Sequence, residues 1–279
     1  MMRRRVIINA DDFGWSAGVN DGILRAHRDG VVTSTSIVVN MPAAEEAARR
    51  LVEAPRLGVG IHLNVSQGPP LSRPGAALAE PGGLMNRSAF GVVLACAARP
   101  RLLKAVEAEF EAQIGWALDH GIRPTHLDTH RHSHGYAPIF NRVAALAQRY
   151  GIRFVRRYGE QLPGKGWPPA PTKQRCVARV LHYLGQRNAA RYPALHGTQG
   201  AWGVAHTGLI DVRWLVLAAE RVAPGVTEIM THPGLPDNLT AGETRLIHSR
   251  QMELAALCDP DVRRAFARPD LELVHYGNL

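Results

Sequence analysis

The chain has 279 residues, 46% of them hydrophobic, 20% charged and 6% aromatic. That composition excludes a disordered or collagen-like polypeptide, and the length suits a single domain with one large core. Lys+Arg 33 against Asp+Glu 24 gives a net charge of +9, carried almost wholly by arginine, since the lysines are only Lys104, Lys165 and Lys173. The arginines are scattered along the chain, with Arg3-Arg4-Arg5 the longest run, so the basic-patch criterion for a nucleic-acid partner is not met.

The start, Met1-Met2-Arg3-Arg4-Arg5, resembles the basic end of a secretion signal. Only Val6-Ile7-Ile8 follow before polar residues, too short for a signal core. No stretch approaches the roughly 18 apolar residues of a membrane helix. Cys96, Cys176 and Cys258 are an odd, widely spaced set that argues against a disulfide framework or a thiolate metal knot. The expected location is the cytoplasm, with no membrane insertion; a homo-oligomer is compatible with the sequence.

Strands are expected at 6–10, 34–40, 58–65, 125–129, 152–155, 227–231 and 271–276. Several are continuous Val/Ile runs rather than alternating ones, as in strands covered on both faces. Helical spacing marks 43–53, 102–119, 138–150, 177–184, 212–222 and 244–257, with Pro138 suited to a first turn and Gly151 to a C-cap. Strand–helix alternation implies a parallel sheet with helical crossovers. About seven strands in this length favour an α/β fold like a (β/α) TIM barrel, in one domain over 1–279. Two Pro/Gly-rich loops, 69–83 and 159–171, are long enough to be functional. They are expected to border the pocket, with Trp167 the aromatic residue of the second, while Trp202 is either a core residue or a platform for a sugar ring.

Polar groups stand at the strand ends. The first strand runs into Asp11-Asp12, the third carries His62 and Asn64, and the strand near 230 ends in His232-Pro233-Gly234. In a parallel barrel those ends share one face, where the active site sits. His126, Asp128, His130, His132 and His134 fall at every second residue and, if extended, share one side of the chain. Asp11-Asp12 has a plainer reading, as a cap for a helix starting near Ser16. A carboxylate with two neutral imidazoles is a common site for a catalytic divalent ion, one able to polarise a carbonyl and activate water. Hydrolysis also needs a base and an acid, for which Asp11 and His232 are the candidates.

Five blocks, VIINADDFG (6–14), GVVTSTSIVVN (30–40), GVGIHLN (58–64), PTHLDTHRHSH (124–134) and EIMTHPG (228–234), resemble the YdjC-like carbohydrate deacetylase family, which includes chitooligosaccharide deacetylases and hopanoid-associated members. AHTG (205–208) is similar to that family too. The resemblance implies a barrel-like fold and metal-dependent removal of an N-acetyl group from an amino sugar. It makes Asp12, His62 and His130 the ligands of one divalent ion, Mg²⁺ or Zn²⁺. Asp11 would be the general base and His232 the general acid. Asp128, His126, His132 and His134 would contact substrate or support the ligands. The chain departs from the family at Arg131, where another histidine is frequent. Two rival readings keep the scaffold: a metal-dependent phosphoesterase or amidohydrolase, and a non-catalytic sugar-binding protein.

Overall fold

Arg4–Phe13 forms the longest strand, β1, and Val6, Ile7, Ile8 and Ala10 within it have no solvent exposure. Such a run needs cover on both faces, and the rest of the chain supplies it. The computed structural model describes residues 3–160, 166–237, 239–240 and 244–279. After β1 come α1 (Ala17–Arg28), β2 (Ser34–Ile37), α2 (Ala44–Arg50), β3 (Gly58–Leu63), β4 (Gln67–Gly68), β5 (Met85–Asn86), α3 (Ala89–Ala98) and α4 (Leu102–Asp119). Then follow β6 (Leu127–Thr129), α5 (Ala137–Arg149), α6 (Thr172–Arg191), β7 (Ala201–Trp202), α7 (Val212–Arg221), β8 (Gly225–Thr231), α8 (His248–Cys258), α9 (Pro260–Phe266) and β9 (Leu271–Leu273).

The main sheet is parallel, in the order β6-β3-β2-β1-β8-β7. β9 pairs with Arg4–Val6 of β1, below the point where β2 takes over at Asn9. The two edges meet through residues 154–158. Leu127 of β6 bridges to Val155, and Ala201 of β7 bridges to Tyr158. Arg156 N–H donates to Leu127 O at 2.9 Å and Ala201 N–H to Arg157 O at 2.7 Å. The sheet therefore curls round on itself as the strand count suggested. The expected strand at 152–155 differs in detail: it passes from one neighbour to the other within four residues, so it makes single bridges, not a continuous ladder.

The short antiparallel pair β4–β5 and the helix α3 were not signalled by periodicity, and α6 is longer than the spacing suggested. Ser16, not the aspartates, caps α1: its hydroxyl accepts from Val19 N–H at 3.3 Å. The capping reading of Asp11-Asp12 thus falls away, leaving both carboxylates for other work. No helix among the described residues is long and apolar enough to cross a membrane.

Candidate metal centre and active site

The parallel register delivers β1, β2, β3, β6 and β8 to a common rim. There Asp11, Asp12, Ser36, His62, Asp128 and His232 are all buried. Asp12 reaches its position through a kink. The β1–β2 register shifts between Ala10 and Phe13, and Asp12 adopts φ 74°, a left-handed conformation that costs about 1–2 kcal/mol for a non-glycine residue. The kink sends adjacent carboxylates to different partners.

One Asp12 oxygen, Oδ2, accepts from Arg250 at 2.6 Å. The other, Oδ1, lacks a well-aligned donor and faces two ring nitrogens, His130 Nδ1 at 3.3 Å and His62 Nε2 at 3.6 Å. Ligand atoms of Asp12, His62 and His130 all lie within 4.8 Å of one another. Bonds of about 2.0–2.1 Å in tetrahedral geometry separate ligands by about 3.3 Å. An orphaned carboxylate oxygen 3.3 and 3.6 Å from two imidazole nitrogens fits a divalent ion. Burial disfavours charge at Asp12, but Arg250 and His130 hold its carboxyl well below the usual range.

His62 is aimed by its other nitrogen. Nδ1 lies 2.7 Å from Asp128 Oδ1 and 3.2 Å from Ser36 Oγ, which leaves Nε2 toward Asp12. A carboxylate behind a ligating histidine fixes its tautomer and strengthens it as a ligand. Burial opposes protonation of His62, yet Asp128 and Asp11 together raise it to about 9.

Beneath the rim lies a residue that the sequence reading missed. Arg156 is fully buried and donates to both oxygens of Asp11, at 2.8 and 2.6 Å. It also meets Asp128 at 2.7 Å and Glu228 at 2.7 Å, while Tyr276 O–H donates to Glu228 at 2.5 Å. Asp11 receives further donors from Asn9 and Ser36. Despite burial, Arg156 and then His62 lower the Asp11 carboxyl. Asp11, His62 and Asp128 form a second group with metal-ligand spacing. There the guanidinium already supplies the cation.

His232 Nε2 stands 4.0 Å from Asp11 Oδ2. Burial pushes its imidazole down to about 4. Its backbone N–H donates to Glu253 at 2.7 Å, and Glu253 also accepts from Gly208 N–H at 3.2 Å. Arg250 and Glu253, one turn apart on α8, thus hold Asp12 and His232 respectively. Neither arginine nor glutamate had a motif to flag it.

The remaining histidines do not line up along an extended strand. β6 ends at Thr129, and a tight 3₁₀ turn, His130–Gly135, follows with Arg131 at φ 54° and His132 at φ 59°. His126 lies one layer down inside the barrel, stacked on Tyr276 with ring centroids 4.1 Å apart. His134 is buried between Thr129 Oγ1 at 2.6 Å and Arg156 O at 3.1 Å, where it ties down the turn. His132 packs edge-on against Tyr158. Trp202 takes the core alternative: it is 4% exposed and packs with Trp167, which also touches Trp214. Residues 161–165 of the second long loop lie outside the described residues. The first loop is pinned through Leu71 and Ser72 N–H groups to Glu109 of α4.

A family model described as YdjC-like protein matches residues 5–268. The chain belongs to the YdjC-like family. A carbohydrate deacetylase of Geobacillus stearothermophilus is 35% identical over 276 residues, covering 99% of this chain and 98% of its own. Another, from Brevibacillus brevis, is 31% identical over 276 residues, covering 99% of each. A solved structure from Enterococcus faecalis V583, of a protein proposed to cleave cellobiose phosphate, superposes with a TM-score of 0.81 at 24% identity and covers 99% of this chain and 98% of that one. That likeness gives the fold. In this YdjC-like chain, Arg131 bonds to Arg87 O at 2.7 Å and Gln67 Oε1 at 2.8 Å, so the departure at 131 ties down neighbouring loops.

Proposed function

We propose that this YdjC-like chain is a metal-dependent hydrolase that removes the N-acetyl group from an amino sugar and releases acetate. The observation that carries the reading is the Asp12–His62–His130 trio with Asp11 and His232 on its flank. The relatives named carbohydrate deacetylase support the substrate class. Asp12, His62 and His130 would hold one divalent ion, Mg²⁺ or Zn²⁺, and two imidazoles favour zinc on ligand softness. Such an ion, when bound, polarises the amide carbonyl and makes water more acidic. Asp11 Oδ2 takes a proton from the attacking water. The C–O bond forms in that step, and His232 then delivers a proton to the departing nitrogen as the C–N bond breaks. Asp128 and Arg250 keep His62 and Asp12 in register. The three free cysteines make the cytoplasm the compartment we assign.

The phosphoesterase alternative usually needs two ions about 3.5–4 Å apart. Arg156 stands where the second group would hold one, which favours one ion per chain. A binding protein would have no use for the acid–base pair.

The test is acetate release from acetylated chito-oligosaccharides, followed as a mass loss of about 42 Da, with chelated and metal-restored enzyme. Activity that returns with metal, at one ion per chain, is expected. Asp11→Asn should bind metal and lose turnover. Full activity after chelation, or in His130→Ala, would overturn the proposal.

A further inference from the structure

Two stretches of the chain are basic and free of acids. Residues 81–106 contain Arg87, Arg99, Arg101 and Lys104 and no acid, although Arg87 itself pairs with Glu80 at 2.8 Å. Residues 166–210 contain Lys173, Arg175, Arg179, Arg187 and Arg191, again with no acid. The first stretch holds α3 and the second holds α6. Both helices pack on the His130–Gly135 turn of the candidate site. Asn188 of α6 donates to His134 O at 3.3 Å, and Leu181 covers Gly135.

These helices also expose apolar side chains. Phe90 is 74% exposed and Leu94 56% on α3, while Val177, Val180 and Tyr183 on α6 are 43%, 57% and 60% exposed. On α6 the arrangement is a stripe. Ala178, Leu181, Gly185 and Asn188 face inward. At 100° per residue, Val177 and Val180 share the outward face with Lys173, Arg187 and Arg191. None of the α6 basic residues makes an ion pair among the described residues. Arg187 instead lies over the Tyr183 ring at 5.7 Å.

Exposed apolar side chains beside cations that make no ion pair among the described residues suit contact with an anionic lipid surface, where apolar burial and attraction to the headgroups add. We propose that the exposed faces of α3 and α6 dock on an anionic lipid bilayer, on the outer side of the His130–Gly135 turn. Charge complementarity chooses this occupant. A second copy of the same face would set the acid-free, cationic α6 helices against each other, while α3 itself is uncharged. A nucleic acid would match the charge but leave Phe90, Leu94 and Val180 without a use. The proposal does not depend on which bond the site cleaves.

Flotation with vesicles tests it, using neutral phosphatidylcholine against the same lipid with about one-third phosphatidylglycerol, at low and high salt. The full chain should float with the anionic vesicles and stay behind with the neutral ones, and salt should weaken the binding. Val180→Glu and Phe90→Asp should each reduce the bound fraction about tenfold. Val52→Glu, at an apolar residue 83% exposed elsewhere on the surface, should leave it unchanged. Thermal melts should show all three variants folded; all three sites are exposed. No binding to anionic vesicles would overturn the proposal. So would binding that Val180→Glu and Phe90→Asp leave intact, a dimer that Val180→Glu dissociates, or duplex DNA binding as tight as vesicle binding.

Discussion

Arg156 grips Asp11 with both terminal nitrogens, at 2.8 and 2.6 Å, and all of its side chain lies inside the barrel. The same guanidinium serves Asp128 and Glu228. Three buried carboxylates around one buried cation are stable only as a set. Arg156→Met should lower stability by about 3–5 kcal/mol, because it strands uncompensated charge rather than merely deleting a contact. Arg156→Lys should recover part of that loss and little of the activity, since a point charge cannot reproduce the two-pronged grip. Urea unfolding and acetate release read the two effects separately. A fully stable Arg156→Met protein would show that the carboxylates are not held by this charge.

Asp128 offers a cleaner separation of support from chemistry. It touches His62 Nδ1 at 2.7 Å, while His62 Nε2 faces Asp12. Asp128→Asn keeps the shape, but its amide cannot hold the imidazole in the same tautomer as strongly. Zinc affinity measured by calorimetry should fall about 10–100-fold, as is typical when such a partner is lost. Saturating metal should restore much of the rate. Unaltered zinc affinity would remove Asp128 from its supporting role.

How legible this site was in the sequence follows from the physics of its parts. Asp12, His62 and His130 are rare residue types at the ends of apolar strands, and the parallel topology brings those ends together. Arg156 gave no such signal, being one of many arginines in a chain where arginine is the default cation. The clue available was electrostatic: Asp11, Asp128 and Glu228 all sit within buried strands and need a buried counter-charge. The alternation of buried Phe154, Arg156 and Tyr158 points to where it sits. Arg250 and Glu253 lie on a helix far along the chain, and only tertiary packing brings them to the rim. The histidine run misled in its second half because local spacing cannot foresee a turn with two left-handed residues.

Acid should unfold the protein through its buried histidines. Burial pushes His126 down to about 3 and His134 to about 4, against about 6.5 in an unfolded chain. Their folded values are depressed, so their contribution is fully present above pH about 6.5. It is lost as pH falls toward those folded values. Each should make stability fall by up to about 1.4 kcal/mol per pH unit through that window. His126→Phe, which retains a ring against Tyr276, should flatten the slope between pH 6 and 4 in chemical denaturation. An unchanged slope would mean His126 is not protonated on unfolding.

Glu253 links the last two parts of the site. It lies buried on α8 and accepts backbone N–H groups from His232 at 2.7 Å and Gly208 at 3.2 Å. Burial raises its carboxyl to about 7, against the pull of those bonds. Glu253→Gln preserves volume but replaces one acceptor with a donor, so one N–H loses its partner and the His232 loop loosens. The expected result is a kcat lowered about tenfold, with KM and metal affinity close to wild type, because His232 acts on the leaving group rather than on binding. The pH dependence gives an independent check. A folded pKa raised above the unfolded value of about 4.5 means that this residue's stabilisation is present below pH 4.5 and is lost as pH rises through about 7. Glu253→Gln removes that titration, so the variant should gain stability relative to wild type across the same range. A variant whose stability runs parallel to wild type from pH 4.5 to 7, with kcat intact, would show that Glu253 neither titrates there nor positions His232.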